Sequence, residues 1–96
     1  MKQYIQQLNS LEENRFKTIS EFKDCLQRGG EIEMEWKGVH FGLIRYGENQ
    51  KITAYLWDQE GTDEVFDSAD GALEYRVAGD RLRDVITQVN VLNRSI

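Results

Sequence analysis

The chain holds one histidine, His40, and its surroundings in the sequence invite a chemical reading. If the strands on either side of Lys37-Gly38 close into a hairpin on those two residues, Glu35 falls opposite His40 and Glu33 opposite Gly42. Glu31 then falls opposite Ile44. A carboxylate beside an imidazole can orient the ring and raise its basicity. Such a pair could activate water or a substrate hydroxyl. A working site also needs a nucleophile, donors for the developing negative charge and a wall that excludes water. A flat sheet supplies none of these. The expectation is that the chain is not an enzyme. The alternative, a small hydrolase or transferase using Glu35 and His40, requires a concave pocket around the histidine.

Other residue types that carry chemistry fare no better. Cys25 is the only cysteine, so it forms no internal disulfide, and with one histidine it builds no zinc site of the usual kind. It also falls on the apolar edge of an expected helix, where a thiol behaves as a small hydrophobe. The loop carboxylates Asp58, Glu60, Asp63, Glu64, Asp67 and Asp70 suggest calcium. They lack the spacing, the mid-loop glycine and the distal bidentate glutamate of an EF-hand, and a solvated acidic loop is the expectation. Arg81 and Arg83, with Arg76 nearby, could touch phosphate. Two apart on an expected helix they point to different faces, and Asp80 and Asp84 offset their charge. Gly29-Gly30 leads from a helix into a strand, the reverse of a phosphate loop. No metal and no cofactor are expected.

What remains is recognition. The hairpin register puts Glu35, His40 and Trp57 on one rung of a sheet face, with Glu33, Gly42 and Tyr55 on the next. Glu31, Ile44 and Thr53 make the third. Gly42, without a side chain, should leave a shallow dip between Glu33 and Tyr55. The plain reading is a solvent face on which Tyr55 and Trp57 pack across strands. The sharper one is a docking surface, because Trp and Tyr anchor interfaces and the carboxylates would select a basic partner. Trp57, Tyr55, His40, Glu33 and Glu35 are the expected contact residues of a small non-enzymatic interaction or regulatory protein. A third reading, an acidic mimic of nucleic acid that inhibits a DNA-binding protein, needs the strand-one carboxylates and the 58–70 loop to form one continuous stripe.

These residues are positioned by elements that the hydrophobic pattern outlines. Ile32, Met34 and Trp36 alternate with Glu31, Glu33, Glu35 and Lys37, the period of a strand with one wet face. A turn at Lys37-Gly38 sets Trp36 against Val39, Met34 against Phe41 and Ile32 against Leu43, every pair apolar. Gly47-Glu48-Asn49-Gln50 reads as the next turn and 51–58 as a third strand. Leu43 then meets Ala54, and Phe41 meets Leu56, with Ile52 beside Arg45. Nine apolar side chains, each contributing roughly 1.5–3 kcal/mol on full burial, must be covered by helices.

The spacing of Tyr4, Ile5, Leu8 and Leu11 predicts a helix over 2–11, whose stripe could join a second copy of the chain. Ser10 with Glu13, and Thr18 with Glu21, both fit a capping box. A break near Lys17 and a second helix over 20–28 follow, with Phe22, Cys25 and Leu26 buried. One bent helix over 2–28 is the alternative. Val65 and Phe66 could form a fourth strand or a buried plug. Asp67 precedes a short helix over 68–75, and Asp80 is placed to cap a last helix, on which Leu82, Val85, Ile86, Val89 and Leu92 make the apolar stripe. The expected fold is α+β: an antiparallel meander of three strands, with room for a fourth, and N-terminal and C-terminal helices packed on one face.

Composition agrees and excludes much. Ninety-six residues, 40% hydrophobic and 30% charged, make one domain with a core and not a disordered chain. The core is expected over 18–92, with 1–17 as a peripheral helix. Twelve Lys and Arg against 17 Asp and Glu leave a charge of −5, a poor field for holding nucleic acid or anionic lipid. The longest apolar runs fall short of a membrane span, and the first residues lack a signal-peptide core. The expected setting is the cytoplasm, with a protein partner or a second copy and neither nucleic acid nor membrane.

Glu33-Met34-Glu35-Trp36-Lys37-Gly38, then the run from Phe66-Asp67-Ser68 to Glu74-Tyr75, then Ala78-Gly79-Asp80-Arg81-Leu82 form a pattern over residues 20–90. That pattern resembles small uncharacterised proteins of Gram-positive bacteria and their phages. The resemblance implies a bacterial cytosolic α+β protein. It brings no activity and no catalytic residues with it.

Overall fold

The computed structural model describes residues 11–46 and 51–95. The stripe of Tyr4, Ile5 and Leu8, the side chain of Leu11 and the Gly47-Glu48-Asn49-Gln50 turn lie outside the described residues.

A single turn of helix, α1 (Leu11–Asn14), is separated from α2 (Ile19–Gln27) by an irregular stretch around Lys17, so one continuous bent helix does not form. Thr18 starts α2. Its hydroxyl accepts the Glu21 backbone N–H at 3.0 Å, while the Glu21 carboxylate accepts the Lys17 N–H at 2.7 Å. Two donors at the helix start are thus satisfied by one reciprocal pair, a capping box whose carboxylate reaches one residue further back than usual. Phe22, Cys25 and Leu26 form the buried stripe. At the far end Gly30 N–H bonds to the Cys25 carbonyl and Gly29 N–H to that of Leu26, the paired closure of a Schellman motif.

Three strands follow: β1 (Glu31–Trp36), β2 (Val39–Tyr46) and β3 (Lys51–Leu56). Lys37 and Gly38 carry φ of 51° and 82°. That left-handed pair makes the two-residue turn whose twist suits a hairpin. The register is the expected one, with Trp36 opposite Val39, Met34 opposite Phe41 and Ile32 opposite Leu43. Across the second pair Phe41 meets Leu56, Leu43 meets Ala54 and Arg45 meets Ile52. Ile32, Met34, Phe41, Leu43, Ile52 and Ala54 are buried in one cluster with α2, and Trp36, Val39 and Leu56 pack against its rim.

The sheet is wider than the meander. β4 (Glu64–Phe66) adds to β3, setting Phe66 beside Ile52 and Val65 beside Thr53. On the other side β7 (Asn90–Arg94) adds to β1, giving the antiparallel order β4-β3-β2-β1-β7. Between them lie α3 (Ala69–Ala72), the two-residue strands β5 (Arg76–Val77) and β6 (Asp80–Arg81), and α4 (Leu82–Val85). The fold is an antiparallel sheet with helices, an α+β architecture.

Three expectations give way here. The apolar stripe from Leu82 to Leu92 does not make a long helix: α4 is a single turn, and the chain re-enters the sheet as β7. Val85, Ile86, Thr87, Val89 and Val91 are β-branched, which costs more side-chain freedom in a helix than in a strand. The outer edge of β1 also offers unpaired backbone groups that a fifth strand satisfies. Val91 lands opposite Met34 and is buried, and Leu92 is the extra residue at a register shift beside Glu33 and Met34. Asp80 caps no helix. Its carboxylate accepts the Trp36 indole N–H at 2.9 Å and pairs with the Lys37 ammonium at 3.0 Å. The helix expected over 68–75 shortens to α3, capped by Ser68, whose hydroxyl accepts the Gly71 N–H, in place of Asp67.

The core also begins earlier than Thr18. Phe16 is buried, meets Phe22 edge-on at 5.5 Å, and lies under the Arg94 guanidinium at 4.5 Å. Just upstream, Asn14 donates to the Val91 carbonyl and Arg15 to that of Val89. Those contacts occupy the backbone acceptors of Val91 in β7 and of Val89 just before it, the kind of edge that otherwise invites another strand. Among the described residues no helix is long and apolar enough to cross a membrane.

Candidate partner-binding face

The residues that alternate with the core row point the other way, onto a face that no described element covers. Trp57 follows β3 directly, and its backbone N–H bonds to the His40 carbonyl at 2.9 Å, extending the ladder by one residue. The indole lies flat on the His40 ring, with centroids 4.4 Å apart and planes 9° from parallel. Tyr55, two residues back on the same face, meets the indole edge-on at 6.5 Å. Trp57 remains 42% exposed.

Gly42 does not leave a dip. A Cβ there would lie 2.6 Å from the Tyr55 ring carbons and hydroxyl, so the phenol lies across the bare glycine and points toward β1. The missing side chain makes room for a ring. Partial burial raises the Tyr55 phenol above its ordinary pKa of 10.0, and the negative charges of Glu31, Glu33 and Asp63 raise it further.

The carboxylates sort differently from the expectation. Glu35 sits opposite His40 in register, yet its side chain is committed elsewhere. It accepts the Asn90 amide at 2.8 Å and the Gly38 N–H at 2.7 Å. Those two hydrogen bonds, the Asn90 one first, hold its carboxyl below the ordinary 4.5, with His40 adding a smaller pull. His40 instead donates from Nε2 to the Glu33 carboxylate at 2.9 Å, one rung away. A carboxylate only accepts, so this contact assigns the proton to that nitrogen. The orienting partner of the histidine is Glu33, not Glu35. Asn90 was illegible as a site residue because it enters with β7, which the helical stripe concealed.

An open groove of about 320 Å³ runs along the face, lined by Glu31, Tyr55, Leu56 and Trp57. Val65, 59% exposed, stands beside Thr53 at the β4 edge. The side chains of Glu31 and Asp63 make no hydrogen bond or ion pair with the described residues. The β1 carboxylates are separated from the loop between β3 and β4 by two intervening strands, with Tyr55 and Trp57 between the two acidic groups.

Elsewhere most carboxylates outside the β3–β4 segment are paired, whereas Asp58, Glu60 and Glu64 have no ion pair among the described residues. Arg81 on β6 and Arg83 on α4 converge on Glu74, at 3.3 and 2.9 Å, because the strand between the expected helices re-aims the first of them. Asp70 takes Lys23 and Arg83, Asp84 takes Arg81, and Asp67 takes Lys51. Cys25 is buried. Among the described residues no group of three or more His, Cys, Asp or Glu side chains is placed to hold a metal ion.

Comparison with known proteins found no matching family model, no matching curated protein and no matching solved structure.

Proposed function

We propose that this chain is a small non-enzymatic interaction protein that docks a protein partner, or a second copy of itself, on the outer sheet face. Trp57, Tyr55, His40, Glu33 and Glu35 are the contact set, and the bacterial cytoplasm is the setting the sequence resemblance implies. The observation that carries the reading is the aromatic group itself. An indole stacked on an imidazole, with a phenol edge-on to it, is a rigid apolar platform left open to solvent. Large rings fixed by neighbours lose little freedom on binding, which is why such residues dominate interface energetics. Glu33 and Glu35 support the platform from the neighbouring strand: one fixes the histidine, the other ties β1 to β7 and to the hairpin turn.

The test is Trp57→Ala. An exposed ring that fills no core site should cost less than about 1 kcal/mol of stability when truncated. Partner capture, or self-association measured by light scattering, should fall by tenfold or more if the ring is an anchor, the usual 1.4 kcal/mol or above. Unchanged capture and unchanged mass for a variant that melts like the parent would remove this face as the interface.

A further inference from the structure

The geometry points to an arginine side chain, carried by an extended segment of a basic partner, as the group that fills the groove between Glu31 and Trp57. This rests on the docking reading above and gives it a ligand chemistry.

Charge comes first. The groove borders Glu31, and Asp63 acts on the same phenol from another side. Neither carboxylate has an ion partner among the described residues, whereas Glu74, Asp70, Asp84, Asp67 and Glu21 are each met by an arginine or lysine. Burial is the first cause of the raised Tyr55 phenol, and the negative charges of Glu31, Glu33 and Asp63 raise it further. A cation entering there gains for Glu31 the pairing that those five carboxylates already have.

Shape separates arginine from other cations. Tyr55 and Trp57 supply ring surface, and Glu31 a single carboxylate. A guanidinium is planar, stacks on aromatic faces and can meet a carboxylate with two parallel N–H donors. Its three-carbon stem prefers apolar surface while the head stays polar. An ammonium is a compact, strongly hydrated point charge and uses the ring planes less well. An anion meets only repulsion, and an uncharged apolar strand would leave Glu31 facing it without a partner.

The probe is a capped seven-residue peptide with two arginines, compared with the same peptide carrying lysine or citrulline at both positions. Binding is followed at low salt by the indole N–H resonance of Trp57 and the amide of Gly42. The Trp36 indole, held by Asp80, serves as the internal reference. The arginine peptide should move Trp57 and Gly42 and leave Trp36 in place. The lysine peptide should bind several-fold more weakly, and the citrulline peptide, with the same shape and no charge, should not bind. Glu31→Gln should weaken the arginine peptide about tenfold or more. The side chain of Glu31 is exposed, and its backbone, not its carboxylate, joins Ser95, so the fold is not at stake. Equal binding of the citrulline peptide, no movement of Trp57, or an unaffected Glu31→Gln variant overturns the assignment to arginine. If Trp57→Ala still abolishes partner capture in that case, the docking face survives without its proposed ligand. If Trp57→Ala also has no effect, both fail.

Discussion

The two faces of the β1–β3 ribbon are made from alternate residues of the same strands, and they are held in place by different physics. On the inner face Ile32, Met34, Phe41, Leu43 and Ala54 are sealed from solvent by α2 and the segments that follow β4. Position there is set by volume, and any side chain of similar size and apolarity would serve. On the outer face position is set by a few directional contacts: the indole on the imidazole, the imidazole on Glu33, the phenol over Gly42 and Glu35 on Asn90. Folding does not demand a stacked Trp–His pair or a carboxylate left without a cation. The outer face, which stability constrains less, is the one proposed above for docking.

Phe41→Ala gives the largest contrast between the faces. The ring is fully buried, and its removal should cost about 3–5 kcal/mol in denaturant unfolding, several times the cost of truncating Trp57. A cost near that of an exposed residue would mean the inner face is not the core that holds the ribbon.

Glu35→Gln has a smaller effect, confined by pH. The folded-state pKa of Glu35 lies below its ordinary 4.5. The carboxylate therefore contributes stability in full above 4.5, and this is lost as the pH falls through the lowered value. The variant should be less stable than the parent at neutral pH, and the two melting curves should converge in acid. A gap that persists in acid would assign the effect to packing and not to charge.

Gly42→Ala should alter stability least and the outer face most specifically. The added methyl meets the Tyr55 ring, which can swing toward solvent, and replacing a strand glycine offsets part of the cost. The net change should stay within about 1 kcal/mol. Cross-relaxation between the Tyr55 ring and Gly42 should vanish, and the phenol should ionise closer to its ordinary value. A Tyr55 signal that does not move would mean the ring is placed by something other than the bare glycine.

The ribbon was readable in the chain because both of its signals agreed. Alternation in Ile32, Met34 and Trp36 and the turn at Lys37-Gly38 each specify the same register, and slipping it by one residue would expose every core side chain. The last third was not readable, because Leu82, Val85, Ile86, Val89 and Leu92 satisfy a helical period while Val89 and Val91 satisfy a strand period. Periodicity alone does not choose between them, although the β-branched content leans toward strand. The vacant edge of β1 chose. With β7 came Asn90, and with Asn90 the reassignment of Glu35. Arg81 was misread for the same reason, since a two-residue strand stood where a helix was expected.

Local order along the chain therefore specified which side chains of the ribbon face inward, where α2 starts and stops, and which aromatics stand on the open face. Each depends on neighbours a few residues away or on a tight turn. Whether His40 is oriented by Glu33 or Glu35, and which carboxylates stay without a cation, was settled by strands and arginines brought in from distant parts of the sequence. Hydrogen bonds and ion pairs are short-ranged and directional, so their partners exist only once the chain has folded.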